Sequence, residues 1–228
     1  MNLRCDPAGL IFDLDGTLLD TEPLYSAASQ KVLDEYGETY TPELKRRVMG
    51  GDSHTSAQIV IDEFALPLTS DEYLKKREVH LVELFATCPE IKGAGDFINA
   101  LAESGIPFGL ATSSHRHLRD IKLCNKAWGE HFHATVCGDH PGLKHGKPAP
   151  DIFLLCAAEL DVAPDQCIAF EDSRNGIAAA RAANMQVVGL NSPYVEDTDL
   201  SDATLIVDSF EALYPFLDTW QRTQRQRR

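Results

Sequence analysis

Hydrophobic and polar positions along this chain follow two rhythms, and the change between them divides it. A short apolar run, Ala8-Gly9-Leu10-Ile11-Phe12, ends in Asp13-Leu14-Asp15-Gly16. A run of this length closed by a glycine turn predicts a buried parallel strand. From residue 21 to residue 88 the spacing is helical. Leu24, Ala27, Ala28, Val32 and Leu33 recur with a helical period up to Tyr36-Gly37. Thr21 is the expected N-cap and Pro23 lies in the first turn. Further helices are predicted over 42–48, over 53–64 with Ser53 as cap, and from 70 to about 85 with Asp71-Glu72 in the first turn. No part of this block reads as a strand.

From Ile91 onward strands and helices alternate. Helices are predicted over 94–104, 115–123, 150–160 and 176–183, with a last one starting over 210–217. Strands are predicted over 107–111, 134–137, 167–170, 186–190 and 205–207. Such alternation builds a parallel sheet with helices on both faces. The expected fold class is therefore α/β, a parallel-sheet core with an inserted α-helical cap. Residues 1–20 and 89–228 form the core and 21–88 the cap.

Composition narrows the chemistry. The formal charge of −14 over 228 residues argues against a duplex nucleic acid partner. An acidic protein that handles phosphate must gather positive charge locally, from a metal, a lysine or helix N-termini. The six cysteines form no Cys-x-x-Cys pair, and several sit in apolar runs. Buried free thiols in a reducing compartment are expected. Neither a signal peptide nor a membrane span is visible, so the expectation is a cytoplasmic, monomeric protein without a membrane partner.

Candidate chemistry sits at the strand ends. Open parallel sheets bind ligands beyond the carboxyl ends of their strands. Asp13 and Asp15 stand there, on one side if the extended geometry continues. One carboxylate can attack a phosphoryl group, the other can shuttle the proton, and both offer hard oxygen ligands for Mg²⁺. Thr112, followed by Ser113 and Ser114, brings hydroxyls and N–H groups to a strand-to-helix turn, where a phosphate can be held. Lys147, before Pro148, is placed on a loop and can neutralise phosphate and nucleophile. Glu171 and Asp172 would complete an oxygen-rich Mg²⁺ site.

This order of motifs resembles the haloacid dehalogenase-like hydrolases, in the branch with a helical cap after the first motif. Asp13-x-Asp15-Gly16-Thr17 is similar to the first motif, Thr112 to the second, Lys147 to the third and Glu171-Asp172 to the fourth. The resemblance implies a Rossmann-like core, Mg²⁺ and an aspartyl-phosphate intermediate. It makes Asp13 the nucleophile and a metal ligand. Asp15 becomes the general acid/base, its carbonyl also on the metal, and the expected partner is a small phosphorylated metabolite. Aspartates at both 13 and 15 favour phosphate chemistry over dehalogenation. Within the branch, Val48-Met49-Gly50, Ala57-Gln58-Ile59-Val60-Ile61-Asp62, Gly146-Lys147-Pro148-x-Pro150-Asp151-Ile152-Phe153 and Met185-Gln186-Val187-Val188 resemble pseudouridine-5′-phosphatases.

A β-phosphoglucomutase is the alternative of another reaction class. Such mutases carry a His in the first cap helix and an Arg in the cap loop for a second phosphate. The corresponding places here fall near Tyr25 and Ser53, with His54 beside the latter. The candidate substrate-binding residues are Tyr25, Met49, Ser53 and His54 in the cap, with Ser113 and Ser114 in the core. Calcium-loop and P-loop readings fail on spacing: Pro148 stands where Ser or Thr should follow Gly146-Lys147. The His-x-His pairs at 115–117 and 131–133 lack a helical His-x-x-x-His or a Cys partner and are expected on exposed loops and helices. The Arg-rich tail from 222 is expected to be a frayed helix end.

Overall fold

A computed structural model describes residues 3–48, 53–194 and 199–227, with side chains up to residue 223. The described chain divides into two compact units. One combines the chain up to Asp20 with Pro89 onward, and the other is Thr21–Cys88.

The first unit is built on a six-stranded, wholly parallel sheet: β1 (Gly9–Phe12), β2 (Phe108–Ala111), β3 (Ala134–Val136), β4 (Cys167–Glu171), β5 (Gln186–Leu190) and β6 (Leu205–Val207). The spatial order is β3-β2-β1-β4-β5-β6. Chain progression therefore reverses between β1 and β4, and a crevice opens beyond their carboxyl ends. The register pairs Ile11 with Ala169 and Phe12 with Phe170.

Successive side chains of each strand go to opposite faces. Ile11, Ala111, Ala169 and Val187 join Ile152, Phe153 and Ile177 in one buried layer. On the other face Phe12 stacks on Phe170 at 4.2 Å between centroids and meets Phe97 and Phe108 edge-on. The four central strands are buried along their length apart from half-buried Gln186 at the start of β5, which is why they read as apolar runs.

In the second unit the helices are α1 (Glu22–Asp34), α2 (Pro42–Val48), α3 (Ser53–Phe64) and α4 (Ser70–Phe85). Val32, Leu33, Leu44, Ala57, Val60, Ile61 and Tyr73 close its core. Thr21 precedes α1 but its backbone is already helical and its side chain makes no capping bond. Pro23 and acidic Glu22 start that helix instead. Ser53 is the first helical residue of α3 rather than a flanking cap. The full capping box belongs to α4, where Thr69 and Glu72 satisfy each other's backbone N–H groups.

The remaining helices belong to the first unit: α5 (Ala94–Ala102), α6 (Arg116–Leu123), α7 (Asp151–Glu159), α8 (Arg174–Ala182) and α9 (Tyr214–Arg227). The last helix begins with a 3₁₀ turn, Phe210–Leu213, before becoming regular. Pro215 explains the delay, since it fits only a first turn. Among the described residues no helix is long and apolar enough to cross a membrane.

Candidate active site

The carboxyl ends of β1, β2 and β4, with the loop that carries Lys147, bring the site's residues to one place. β1 stops at Phe12, and the Asp13 N–H still pairs with the Phe170 carbonyl at 3.0 Å. The chain then folds into a tight loop: Leu18 and Leu19 donate to the Leu14 carbonyl, and Gly16 donates to that of Leu19. Gly16 has φ +83°, and a Cβ there would lie 2.0 Å from Asp172 Oδ2. Glycine is therefore required both by the turn and by the carboxylate beside it.

Asp13 is buried and accepts a hydrogen bond from the Lys147 ammonium. The same ammonium donates to Glu171 Oε1 at 2.6 Å and to the Ala111 carbonyl at 3.2 Å. Lys147 lies over the Phe153 ring, 5.1 Å from its centroid. The lysine thus ties together the ends of β1, β2 and β4. Its pKa is raised: burial disfavours the charge, but Asp13 and Glu171 more than offset this.

Glu171 uses its second oxygen for the N–H groups of Asp172 and Ser173 and for the Ser173 hydroxyl at 2.9 Å. Asp172 accepts from the Thr17 hydroxyl at 2.8 Å. Burial pushes the Asp13 carboxyl up to about 7; Lys147 opposes the shift, while Glu171 and Asp15 add to it. Burial also raises Asp172 well above the usual range, with Glu171 and Asp13 next in effect. The arrangement holds more negative charge than Lys147 alone neutralises.

Oxygens of Asp13, Glu171 and Asp172 lie within 4.8 Å of one another, a set that could hold a metal ion. Hard carboxylate oxygens, buried and short of positive charge, fit a small divalent cation. No other group of three or more potential ligands occurs among the described residues.

Asp15 is engaged by different partners. Its Oδ2 accepts from the Ser114 hydroxyl at 2.8 Å and faces the Thr112 hydroxyl at 3.4 Å, while Oδ1 receives the Lys122 ammonium. The β1 ladder ends at Phe12, and the side chains of the two aspartates of the first motif are hydrogen-bonded by different groups. The Asp15 carboxylate is not among the clustered metal-ligating groups. Thr112 is fully buried, Ser114 nearly so, and Ser113 is exposed.

The remaining sequence candidates lie in the 21–88 unit or outside the described residues. Tyr25 meets Phe85 edge-on at 5.4 Å, with the Arg77 guanidinium 5.6 Å from its ring centroid. Ser53 is exposed on α3, and His54 faces Asp71 at 3.6 Å. Met49 lies outside the described residues. Lys122 was not legible as a site residue, although it continues the inward stripe of Leu118 and Ile121 on α6, where an apolar residue would be routine. Thr17 and Ser173 also enter the site through hydroxyl bonds to the acidic pair at 171–172.

The strand order, with carboxylates and a buried lysine at its switch point, defines a Rossmann-like α/β protein with its site at the sheet's carboxyl end. The chain belongs to the haloacid dehalogenase-like hydrolases, whose family model matches residues 10–190. It is 36% identical over 209 residues to a probable pseudouridine-5′-phosphatase of Drosophila melanogaster, covering 90% of each chain. It is 35% identical over 181 residues to a fructose-1-phosphate phosphatase of Escherichia coli, covering 79% of this chain and 95% of that one. A crystal structure of β-phosphoglucomutase from Clostridium difficile superposes with a TM-score of 0.74 at 24% identity, covering 94% of this chain and 98% of the other. That likeness is one of fold.

Proposed function

We propose that this protein is a Mg²⁺-dependent phosphatase that hydrolyses a small phosphomonoester, a phosphosugar or nucleoside monophosphate, through an aspartyl-phosphate on Asp13. Pseudouridine 5′-phosphate is the first substrate to try, given the relative with that name. The observation that carries the reading is the pairing of Asp13 with Lys147 inside a buried acidic cluster at the sheet's switch point.

In the proposed reaction an Asp13 oxygen bonds to phosphorus as the ester P–O bond breaks. The leaving alcohol oxygen takes a proton from Asp15. Water then attacks the acyl phosphate, gives its proton to Asp15, and releases phosphate with Asp13 restored. Lys147 keeps positive charge beside the nucleophile, and Thr112 with the 113–114 backbone would hold phosphate oxygens. Asp13 and Asp172, with Glu171 beside them and the Asp15 carbonyl, would hold Mg²⁺. When bound, the ion supplies the charge that lets a dianionic phosphate approach these carboxylates.

The 21–88 unit is proposed as the cap that selects the organic part of the substrate, with Tyr25, Met49, Ser53 and His54 as its candidates. The protein is proposed to act as a cytoplasmic monomer on a small metabolite, without nucleic acid or membrane partners.

The test is phosphate release from a panel of phosphorylated metabolites with Mg²⁺, run beside a coupled glucose-6-phosphate dehydrogenase assay on β-glucose 1-phosphate. Phosphate release without NADPH is expected. Steady NADPH primed by catalytic glucose 1,6-bisphosphate, with little phosphate, would replace the phosphatase by a mutase.

A further inference from the structure

Lys122 is a buried cation for which the proposed reaction has no task. It projects from α6 with its side chain fully shielded from solvent. Stripping water from an ammonium is costly, and such pairs are often no more stable than hydrocarbon of the same volume. Stability alone is thus a poor reason for a lysine here.

Its placement is specific. The ammonium lies 2.5 Å from Asp15 Oδ1 and 2.7 Å from the Ser114 hydroxyl oxygen. That hydroxyl accepts from Lys122 and gives its own proton to Asp15 Oδ2 at 2.8 Å. Lysine, serine and aspartate close a triangle in which each Asp15 oxygen has a fixed donor. Ser114 is itself pinned: its N–H donates to Thr112 Oγ1 at 3.1 Å, and its carbonyl accepts from the Gly138 N–H at 2.9 Å. Gly138 admits this contact because it has no side chain; a Cβ there would fall 2.1 Å from the Ser113 carbonyl oxygen.

We propose that Lys122 is a positioning residue for proton transfer: with Ser114 it holds the Asp15 carboxylate in one orientation. This rests on the reading of Asp15 as the proton shuttle. An aspartate side chain turns about two torsions, and a proton donor must meet the leaving oxygen within hydrogen-bond reach. Without Lys122, Oδ1 loses its anchor and the carboxylate spends less time in the productive orientation.

The test uses two substrates of nearly one shape. Phenyl phosphate expels a phenoxide as basic as tyrosinate, with a pKa of about 10, which needs a proton. p-Nitrophenyl phosphate expels a weakly basic phenolate that needs it far less. Single-turnover release is measured with enzyme in excess and Mg²⁺ present. Lys122→Met should slow phenyl phosphate about 10- to 100-fold, within the range of acid–base contributions. Its p-nitrophenyl to phenyl rate ratio should rise about tenfold or more.

Asp15→Asn should show the same bias more strongly. Adding Lys122→Met to it should cost no more than about twofold, because residues acting through one group are non-additive. The double variant removes both members of the ion pair, so its p-nitrophenyl to phenyl ratio, read against wild type, stays informative even where a single variant fails to fold. Equal slowing of both substrates by Lys122→Met, or additive losses in the double variant, would overturn the proposal. Wild-type rates in Asp15→Asn would instead overturn the reading of Asp15 itself.

Discussion

The Thr17 hydroxyl donates to Asp172 Oδ1 at 2.8 Å, joining the loop after β1 to the loop after β4. Thr17 is wholly buried, so no water can replace that bond. It fixes the carboxylate that burial raises and that the acidic cluster offers to a cation. Thr17→Val keeps the shape and removes the donor. The expected result is about a tenfold higher Mg²⁺ concentration for half-maximal activity, in line with outer hydrogen bonds at metal sites. Thr17→Ser should stay near wild type, and Mg²⁺ titrations of phosphatase activity check both. An unshifted titration for Thr17→Val would remove Thr17 from the account.

Asp13→Asn should lower turnover by orders of magnitude, because an amide oxygen is a poor nucleophile. Its effect on stability should have the opposite sign in chelated protein. The Asp13 carboxyl is pushed up to about 7 from an ordinary 3.8. A raised folded pKa contributes stability that is fully present below about 4 and lost as pH rises through about 7. The variant carries no charge to desolvate, so its melting temperature should match or exceed wild type at pH 8. Wild type should gain on it at pH 5. Melting curves in EDTA at the two pH values test the sign.

Chelation should silence the native enzyme and Mg²⁺ should restore it, whereas Asp172→Ala should stay inactive at ordinary Mg²⁺. Ca²⁺ should inhibit, because its larger, looser coordination displaces the nucleophile. Rates in EDTA, then with each ion added back, decide this; full activity in chelator would exclude a metal role.

The thiols should separate by burial. Cys5 and Cys124 are exposed, while Cys88, Cys137, Cys156 and Cys167 are buried. Burial lifts the Cys167 thiol to about 11 and raises Cys137 and Cys156 as well. Reagents attack the thiolate, so Ellman's reagent at pH 8 should find the exposed pair at once and the others only after unfolding. Rapid reaction beyond that pair would contradict the burial of the other four.

The strands were legible because a sheet covered on both faces needs apolar residues at every position, and the runs at 8–12 and 167–170 have them. Helix starts were less legible. Thr21 has a good capping side chain, but Pro23 and Glu22 start that helix, while the working capping box lies at Thr69 and Glu72. In the site, Asp13, Glu171 and Asp172 stood out because charged residues ending apolar runs are conspicuous, and Lys147 because a lysine before Pro148 is placed on a loop. The structure brings these side chains together, and separates Asp15 from them by its own partners.

What the sequence by itself determined was the alternation of strands and helices, the helical block between residues 21 and 88, and which polar residues end the strands. Those features are local: periodicity, turn chemistry and apolar runs act over a few residues. Tertiary structure alone decided that β1 lies between β2 and β4, which places the switch point beside Asp13. It also decided that a lysine on α6, 107 positions beyond Asp15, ends at that carboxylate. The partner of a buried lysine across such a span leaves no periodic trace. Its partners are chosen by how helices dock on the sheet, and the cost of desolvating an ammonium is met only once the fold has brought Asp15 and Ser114 to it.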